Sequence, residues 1–258
     1  MSPRALLFRR PPDPQLIEIA FDGAIHPVQL RRHAQARRYT LRVQAATRTV
    51  VLTMPLRGSV KEARAFAERN RGWIAARLKR LPQAIPFADG LELPLRGVPH
   101  RIVHRAARGT VWLEPGEPPL LCVAGNAEHL ARRVRDYLKR EAKRDLEAAS
   151  RRCAAMLGVA IKRVSVRDQT SRWGSCAAAG VLSYSWRLIL APPYVLDYLA
   201  AHEVAHLVEM NHSRRFWRVV ARICPDWQRA KAWLNAHGTA LHRYGEDGGH
   251  AIAPDADC

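Results

Sequence analysis

Apolar and polar residues alternate along much of the first 125 residues, which is the pattern of strands with one face buried. Turn-forming pairs such as Asp22-Gly23 separate the alternating runs. Two of these runs, 38–44 and 49–54, predict a hairpin that ends at Pro55. The predicted strands lie in 15–19, 28–32, 38–44, 49–54, 91–103 and 111–123.

One helix interrupts this β-rich part. Ser59 has the form of an N-cap, and residues 60–78 repeat their apolar positions with a helical period. The apolar side of this predicted helix consists of Phe66, Trp73, Ile74 and Leu78.

From residue 127 the apolar positions change to a helical period. The period continues through 127–157, and Gly158 follows it as a stop signal. Pro192-Pro193 opens a later helix at its first turn, where the missing N–H of proline costs nothing. The other predicted elements are strands at 163–167 and 182–190, and helices that begin near Phe216 and Pro225.

These elements predict an α+β protein in three parts. Residues 1–126 would form a β-rich N-terminal region with one helix. Residues 127–245 would form a domain in which a helix packs on a small mixed sheet. Residues 246–258 are expected to be a disordered tail.

Composition favours a folded, cytoplasmic protein with no membrane association, because 48% of its residues are hydrophobic and no apolar run reaches the ~18 residues of a membrane span. The apolar run near the N-terminus is four residues long, too short for a signal peptide. The five cysteines are widely spaced without a Cys-x-x-Cys pair, which favours free thiols over disulfides or a thiolate metal site. We expect most of them to be buried, with Cys258 as the exception.

The formal net charge of +19 leaves two readings of the surface open. It is either a solvated basic surface, or it faces a polyanion such as DNA, RNA or a phosphorylated substrate. The best candidate for a phosphate-contacting stripe is the basic face of the helix at 127–157. This face carries Arg132, Arg133, Lys139, Arg140, Lys143 and Arg144.

The most specific chemistry lies in the pattern His-Glu-x-x-His at 202–206. Histidines four apart stand one turn above each other on one helix face, so His202 and His206 can bind the same metal ion. Glu203 can then act as the general base that takes a proton from a zinc-bound water. The pattern predicts a zinc hydrolase.

His212 is the candidate third ligand, six residues beyond His206. Metzincins use this spacing, but they place glycine three residues after the second histidine, where this chain has Glu209. We therefore expect the helix to end near Met210 and Asn211, with Asn211 in the left-handed conformation. One zinc ion per chain would be held by three histidines, with a fourth position open.

A donor must stabilise the oxyanion that forms during hydrolysis. The candidates for this substrate or transition-state contact are Arg172, Tyr184, Asn211 and His237. The segment 171–176 is expected to form a tight turn or bulge at a sheet edge, where Gly174 permits close approach. The strand at 182–190 is expected to be the edge against which a peptide substrate lies.

Several segments together resemble the YgjP-like zinc metallopeptidases, which are relatives of the SprT-like zincins. The resemblance extends over roughly residues 28–240 and is most specific in its second half. The segments that carry it are Arg31–Tyr39, Met54-Pro55, Gly72–Ile74, Arg172–Cys176, Trp186–Leu188, Tyr194–Leu199, His202–His206 and Asn211–Trp217.

The resemblance implies a zincin-like catalytic domain that acts on proteins or peptides. It assigns zinc to His202, His206 and His212, and the catalytic carboxylate to Glu203. SprT-like relatives act on proteins attached to DNA, so the resemblance also suggests nucleic-acid-associated substrates, which would suit the positive charge.

Two alternatives stay open at this point. An open metal site among arginines could hydrolyse a nucleoside triphosphate, with Arg172 holding phosphate. The chain could instead be a basic nucleic-acid-binding module, for which DNA affinity should fall steeply with added salt.

Overall fold

The computed structural model describes residues 15–44, 48–81, 83–169 and 172–245. The chain is an α+β protein with mixed sheets, and it divides into two compact units between residues 81 and 82. The boundary predicted after residue 126 falls within the second unit. The predicted tail at 246–258 lies outside the described residues.

In its described residues, the first unit contains a four-stranded sheet with the order β1-β2-β4-β3 and two helices. The predicted hairpin is confirmed as the antiparallel pair β3–β4, whereas β2 and β4 run parallel, which the hydrophobic pattern alone did not indicate. The elements are β1 (Leu16–Phe21), β2 (Ala24–His33), β3 (Thr40–Gln44), β4 (Thr49–Pro55), α1 (Val60–Arg69) and α2 (Arg71–Lys79).

The single helix predicted at 60–78 is wrong, because the chain breaks at Asn70 into α1 and α2. Asn70 leaves helical geometry with ψ at 11°, and its side-chain amide donates to the carbonyl of Phe66 at 2.7 Å. Asparagine side chains compete with backbone hydrogen bonds in this way. The break leaves Trp73 49% exposed, although it was predicted on the apolar side. The predicted N-cap Ser59 is confirmed by a capping box.

The second unit has two sheets, of four and three strands, and four helices among its described residues. Helix α3 covers most of the predicted 127–157 and ends, as expected, at Gly158 in the left-handed conformation. The elements are β5 (Glu92–Leu95), β6 (Val98–Arg105), β7 (Val111–Glu114), β8 (Leu120–Ala124), α3 (Leu130–Leu157), β9 (Arg163–Arg167), β10 (Gly174–Ala177), β11 (Val181–Ser185), α4 (Pro193–Ala205), α5 (Arg214–Ile223) and α6 (Trp227–Leu241). No helix in the described part of the chain is long and apolar enough to cross a membrane.

The strand predicted at 182–190 is not the edge strand of the three-stranded sheet. The strand expected at 182–190 ends at Ser185, and Trp186–Leu190 continues as a buried 3-10 helix. The sheet order is β10-β11-β9, with β11 parallel to β9 and antiparallel to β10. The edge strand nearest to His202–His206 is therefore β10, and β11 lies in the middle of the sheet.

The start of α4 is fixed by the turn between β5 and β6. The backbone N–H groups of Arg96 and Gly97 donate to the carbonyls of Ile189 and Leu190, at 2.7 and 3.3 Å. Gly97 has φ at 77°, and a Cβ added there would lie 3.1 Å from the Cα of Pro192. The turn thus contacts Pro192, the residue before α4, and only glycine fits at position 97 without strain.

We expect Gly97→Ala to lower the free energy of unfolding by about 1–3 kcal/mol, because it adds a contact with Pro192 to the strain of a positive φ. Gly90→Ala is the matched control, since Gly90 has φ at 79° but no atom within 4 Å of an added Cβ. Denaturant unfolding of both variants separates the two effects. Equal losses of stability would mean that the contact with Pro192 contributes nothing.

Candidate metal centre

His202 and His206 lie on the last turn of α4. The helix was expected to end near Met210 and Asn211, but α4 ends at Ala205 and His206 is the C-cap residue. The imidazole Nδ1 of His206 lies 3.2 Å from the carbonyl oxygen of Glu209, in the segment that follows. An N–H at Nδ1 would donate to that carbonyl and leave Nε2 free for a metal, as is usual for histidine ligands.

The imidazole of His212 lies beside those of His202 and His206. Its Nε2 lies 3.0 Å from the Nε2 of His202, and one nitrogen of each of the three histidines lies within 4.8 Å of the others. The predicted left-handed conformation of Asn211 is wrong. Positive φ among the described non-glycine residues occurs at Asp22, Arg48 and Arg96. The earlier end of α4 removes the need for such a terminus.

The three imidazoles fit a zinc ion. Zn–N bonds of about 2.0–2.1 Å in tetrahedral geometry place two ligand nitrogens about 3.3 Å apart, close to the separation of His202 and His212. Among the described residues these histidines are the group of three metal-ligand side chains that could hold an ion. Burial, with the neighbouring histidines and Lys231, lowers the pKa of His202 to about 4, so this imidazole is neutral as metal binding requires.

Phe216 forms the apolar floor of the three histidines. Its ring centroid lies 4.9, 4.6 and 4.7 Å from those of His202, His206 and His212. The side chain is fully buried. Ser213 begins α5 by accepting hydrogen bonds from the first backbone N–H groups, including that of Phe216.

Glu203 is buried beside these ligands and packs against Gly174 of β10. A Cβ added at Gly174 would lie 2.5 Å from the Oε1 of Glu203, so the carboxylate occupies the space of a side chain. Burial raises the pKa of Glu203 to about 7, against the opposing charge of Arg172. A carboxylate with a raised pKa suits a general base. The close approach predicted at Gly174 is confirmed, within a strand rather than a turn or bulge.

Trp173 holds this strand in place. Its ring centroid lies 4.7 Å from that of His242, and a Cβ at Gly238 of α6 would lie 3.1 Å from the indole. The backbone carbonyl of Trp173 accepts a hydrogen bond from the N–H of Ser185 at 2.9 Å. The residue before Gly174 is therefore fixed by both α6 and β11.

The other predicted contact residues are placed differently. Tyr184 is fully buried and its hydroxyl lies 3.0 Å from the hydroxyl of Ser150 on α3, so it faces the core and not a substrate. Arg172 and Asn211 are both exposed. Arg172 lies just before β10 in the sequence, and Asn211 lies just before His212. The His237 ring is tilted against that of Trp233, with 4.9 Å between the ring centroids.

The sequence reasoning missed Lys231 and its place near the histidines. Lys231 lies over the rings of Trp217 and Trp227, and Trp217 lies 5.9 Å from His202 between ring centroids. The spacing of Trp227 and Lys231, four residues apart on one helix, was the available signal.

The basic face of α3 is partly used within the protein. Arg144 pairs with Glu141 and Asp145, and Arg133 donates to the carbonyl of Gly109. Arg140 lies over the ring of Tyr137. A nucleic-acid partner stays a prediction from charge.

The structure brings together three histidines, a buried carboxylate and an adjacent strand edge, which is a combination that metal-dependent hydrolases use. A family model described as YgjP-like, metallopeptidase domain, matches residues 37–237. The chain therefore belongs to the YgjP-like metallopeptidase family. This membership supports a metal-dependent peptidase, and it indicates neither a nucleotide nor a nucleic acid as partner.

One solved structure is similar in part. It is the crystal structure of the metallopeptidase zymogen of Pyrococcus abyssi abylysin, at 24% identity and a TM-score of 0.34. The similarity covers 38% of this chain and 97% of that chain. No curated protein matches the chain significantly.

We expect Gly174→Ala to lower kcat/KM for peptide hydrolysis by about 100-fold, because the added methyl group displaces the Glu203 carboxylate. The metal content should be unchanged, since the three atoms nearest to the added methyl group all belong to Glu203 and none to a histidine. Gly72→Ala is the control, because no atom lies within 4 Å of a Cβ added there. Full activity in Gly174→Ala would contradict the role of this contact.

Proposed function

We propose that this protein is a zinc-dependent metallopeptidase in which His202, His206 and His212 hold the ion and Glu203 is the general base. The observation that carries the proposal is the position of the Glu203 carboxylate. Glu203 is 5% exposed, lies between His202 and His206 in the sequence, and packs against the edge strand β10.

When bound, zinc would supply Lewis-acid polarisation of the substrate carbonyl and of the attacking water. Glu203 accepts a proton from that water as its oxygen forms a bond to the carbonyl carbon. Glu203 then donates the proton to the amide nitrogen as the C–N bond breaks, so that a carboxylic acid and an amine leave. The carboxylate returns to its starting state.

Arg172 and Asn211 are the residues proposed to contact the substrate or the oxyanion. Both are exposed, unlike Tyr184, which we leave out of the mechanism because its hydroxyl is bonded to Ser150 in the core. The charge of Arg172 reaches Glu203, since it lowers the pKa that burial raises. Arg172 is therefore the stronger candidate of the two.

The free edge of β10 supports a peptide substrate. β10 pairs with β11 on one side and, among the described residues, is the last strand of its sheet. An extended peptide can add to such an edge through backbone hydrogen bonds. A peptide bound along β10 would pass Gly174 and so lie beside Glu203.

Glu203→Gln should reduce kcat by about 10²–10⁴-fold, because glutamine cannot accept the proton. Zinc should remain bound at one ion per chain, since Glu203 is not a ligand, and the fold should be unchanged. Peptide hydrolysis and metal content are measured on the same sample. Hydrolysis at the rate of the unsubstituted protein would refute Glu203 as the base.

A further inference from the structure

Two stacked tryptophans lie beside the histidines. The indole centroids of Trp217 and Trp227 are 4.4 Å apart with 24° between the planes. Trp217 also stacks on His212, at 6.0 Å and 29°. This indole pair, Trp217 and Trp227, therefore forms an aromatic surface that begins at a metal ligand.

Lys231 places a positive charge on this surface. Its Nζ lies 4.6 Å from the centroid of Trp217 and 5.6 Å from that of Trp227. Such cation–π contacts hold an ammonium group but leave N–H donors free. Lys231 is exposed, and no carboxylate among the described residues forms an ion pair with it. The neighbouring Arg229 does not compete for the same place, because it lies over Tyr194.

We propose that the indole pair and Lys231 form a substrate subsite for a carboxylate, most simply the side chain of a glutamate. The methylene groups of the glutamate would pack on the indoles while its carboxylate pairs with the ammonium. This proposal rests on the proposed peptidase function, because it assigns the subsite to a peptide held at the histidines.

The distances place this subsite close to the scissile bond. Trp217 contacts both His202 and Lys231, so the ammonium is one side-chain layer away from the ligands. An extended peptide advances about 3.3–3.6 Å per residue. The recognised carboxylate would therefore belong to a residue within two or three positions of the cleaved bond, or to a free C-terminus at that distance.

Binding to the zinc-loaded Glu203→Gln protein tests the subsite without requiring catalysis. The probes are acetyl-Ala-Ala-Glu-Ala-Ala-amide, the same peptide with glutamine in place of glutamate, and acetyl-pentaalanine with either a free or an amidated C-terminus. Dissociation constants are measured by tryptophan fluorescence. The second substitution is Lys231→Met, with Lys143→Met on the exposed face of α3 as the control of equal charge.

The glutamate peptide should bind about tenfold more tightly than the glutamine peptide, and this difference should vanish with Lys231→Met and persist with Lys143→Met. Lys231→Arg should keep most of the difference, since it keeps the charge. If the free C-terminus gives the gain instead, the carboxylate source is the chain end. No difference between the peptides of either pair, or a difference that survives Lys231→Met, would overturn the proposal.

Hydrolysis of the same peptides by the protein with Glu203 intact distinguishes a failure of the proposed peptidase function from a failure of the subsite. Binding that depends on Lys231, without hydrolysis, would contradict the proposed function and leave the subsite standing. Hydrolysis with no dependence on Lys231 would support the proposed function and contradict the subsite.

Discussion

The contact between the Glu203 carboxylate and Gly174 is the constraint on which the rest of the site depends. A helix and an edge strand approach so closely here that a methyl group at residue 174 would overlap the carboxylate. The contact excludes water from one side of Glu203, which raises its pKa, and it brings the strand edge to the base. In the proposed mechanism, the position of the base and the place for a peptide therefore follow from the same packing.

Segments far apart in the sequence hold this contact in place. Trp173 fixes the strand against α6, where the absence of a side chain at Gly238 leaves room for the indole. On the other side, the turn at Gly97 contacts Pro192, just before α4 begins. The Phe216 ring contacts all three imidazoles and so limits where they can lie. A buried carboxylate is costly unless charge compensates it, and a cation held by the adjacent histidines would do so.

The sequence predicted which histidines lie together better than it predicted the backbone that holds them. His202, Glu203 and His206 could be read from helical spacing alone, because that geometry is local. The end of α4 could not, since apolar residues continue the helical pattern to Val208 while the His206 ring contacts the Glu209 carbonyl. The burial of Tyr184 and the edge position of β10 depend on which strands pair, which is not a local property.

The position of Lys231 also depends on packing that the sequence does not show locally. The four-residue spacing of Trp227 and Lys231 is a weak signal on a protein with many exposed basic residues, and only the structure shows the two indoles that Lys231 lies over. Trp217 belongs to the segment that resembles the family, whereas Trp227 and Lys231 come from the next helix. Their position beside the ligands is a product of packing between α5 and α6.

X-ray absorption at the zinc edge of the zinc-loaded protein would count the proposed histidine ligands directly. Three imidazole nitrogens should appear at about 2.0–2.1 Å with one further light atom and no sulfur. His212→Ala should remove one imidazole from the first shell. A zinc–sulfur distance near 2.3 Å, or an unchanged shell in His212→Ala, would contradict the three-histidine centre.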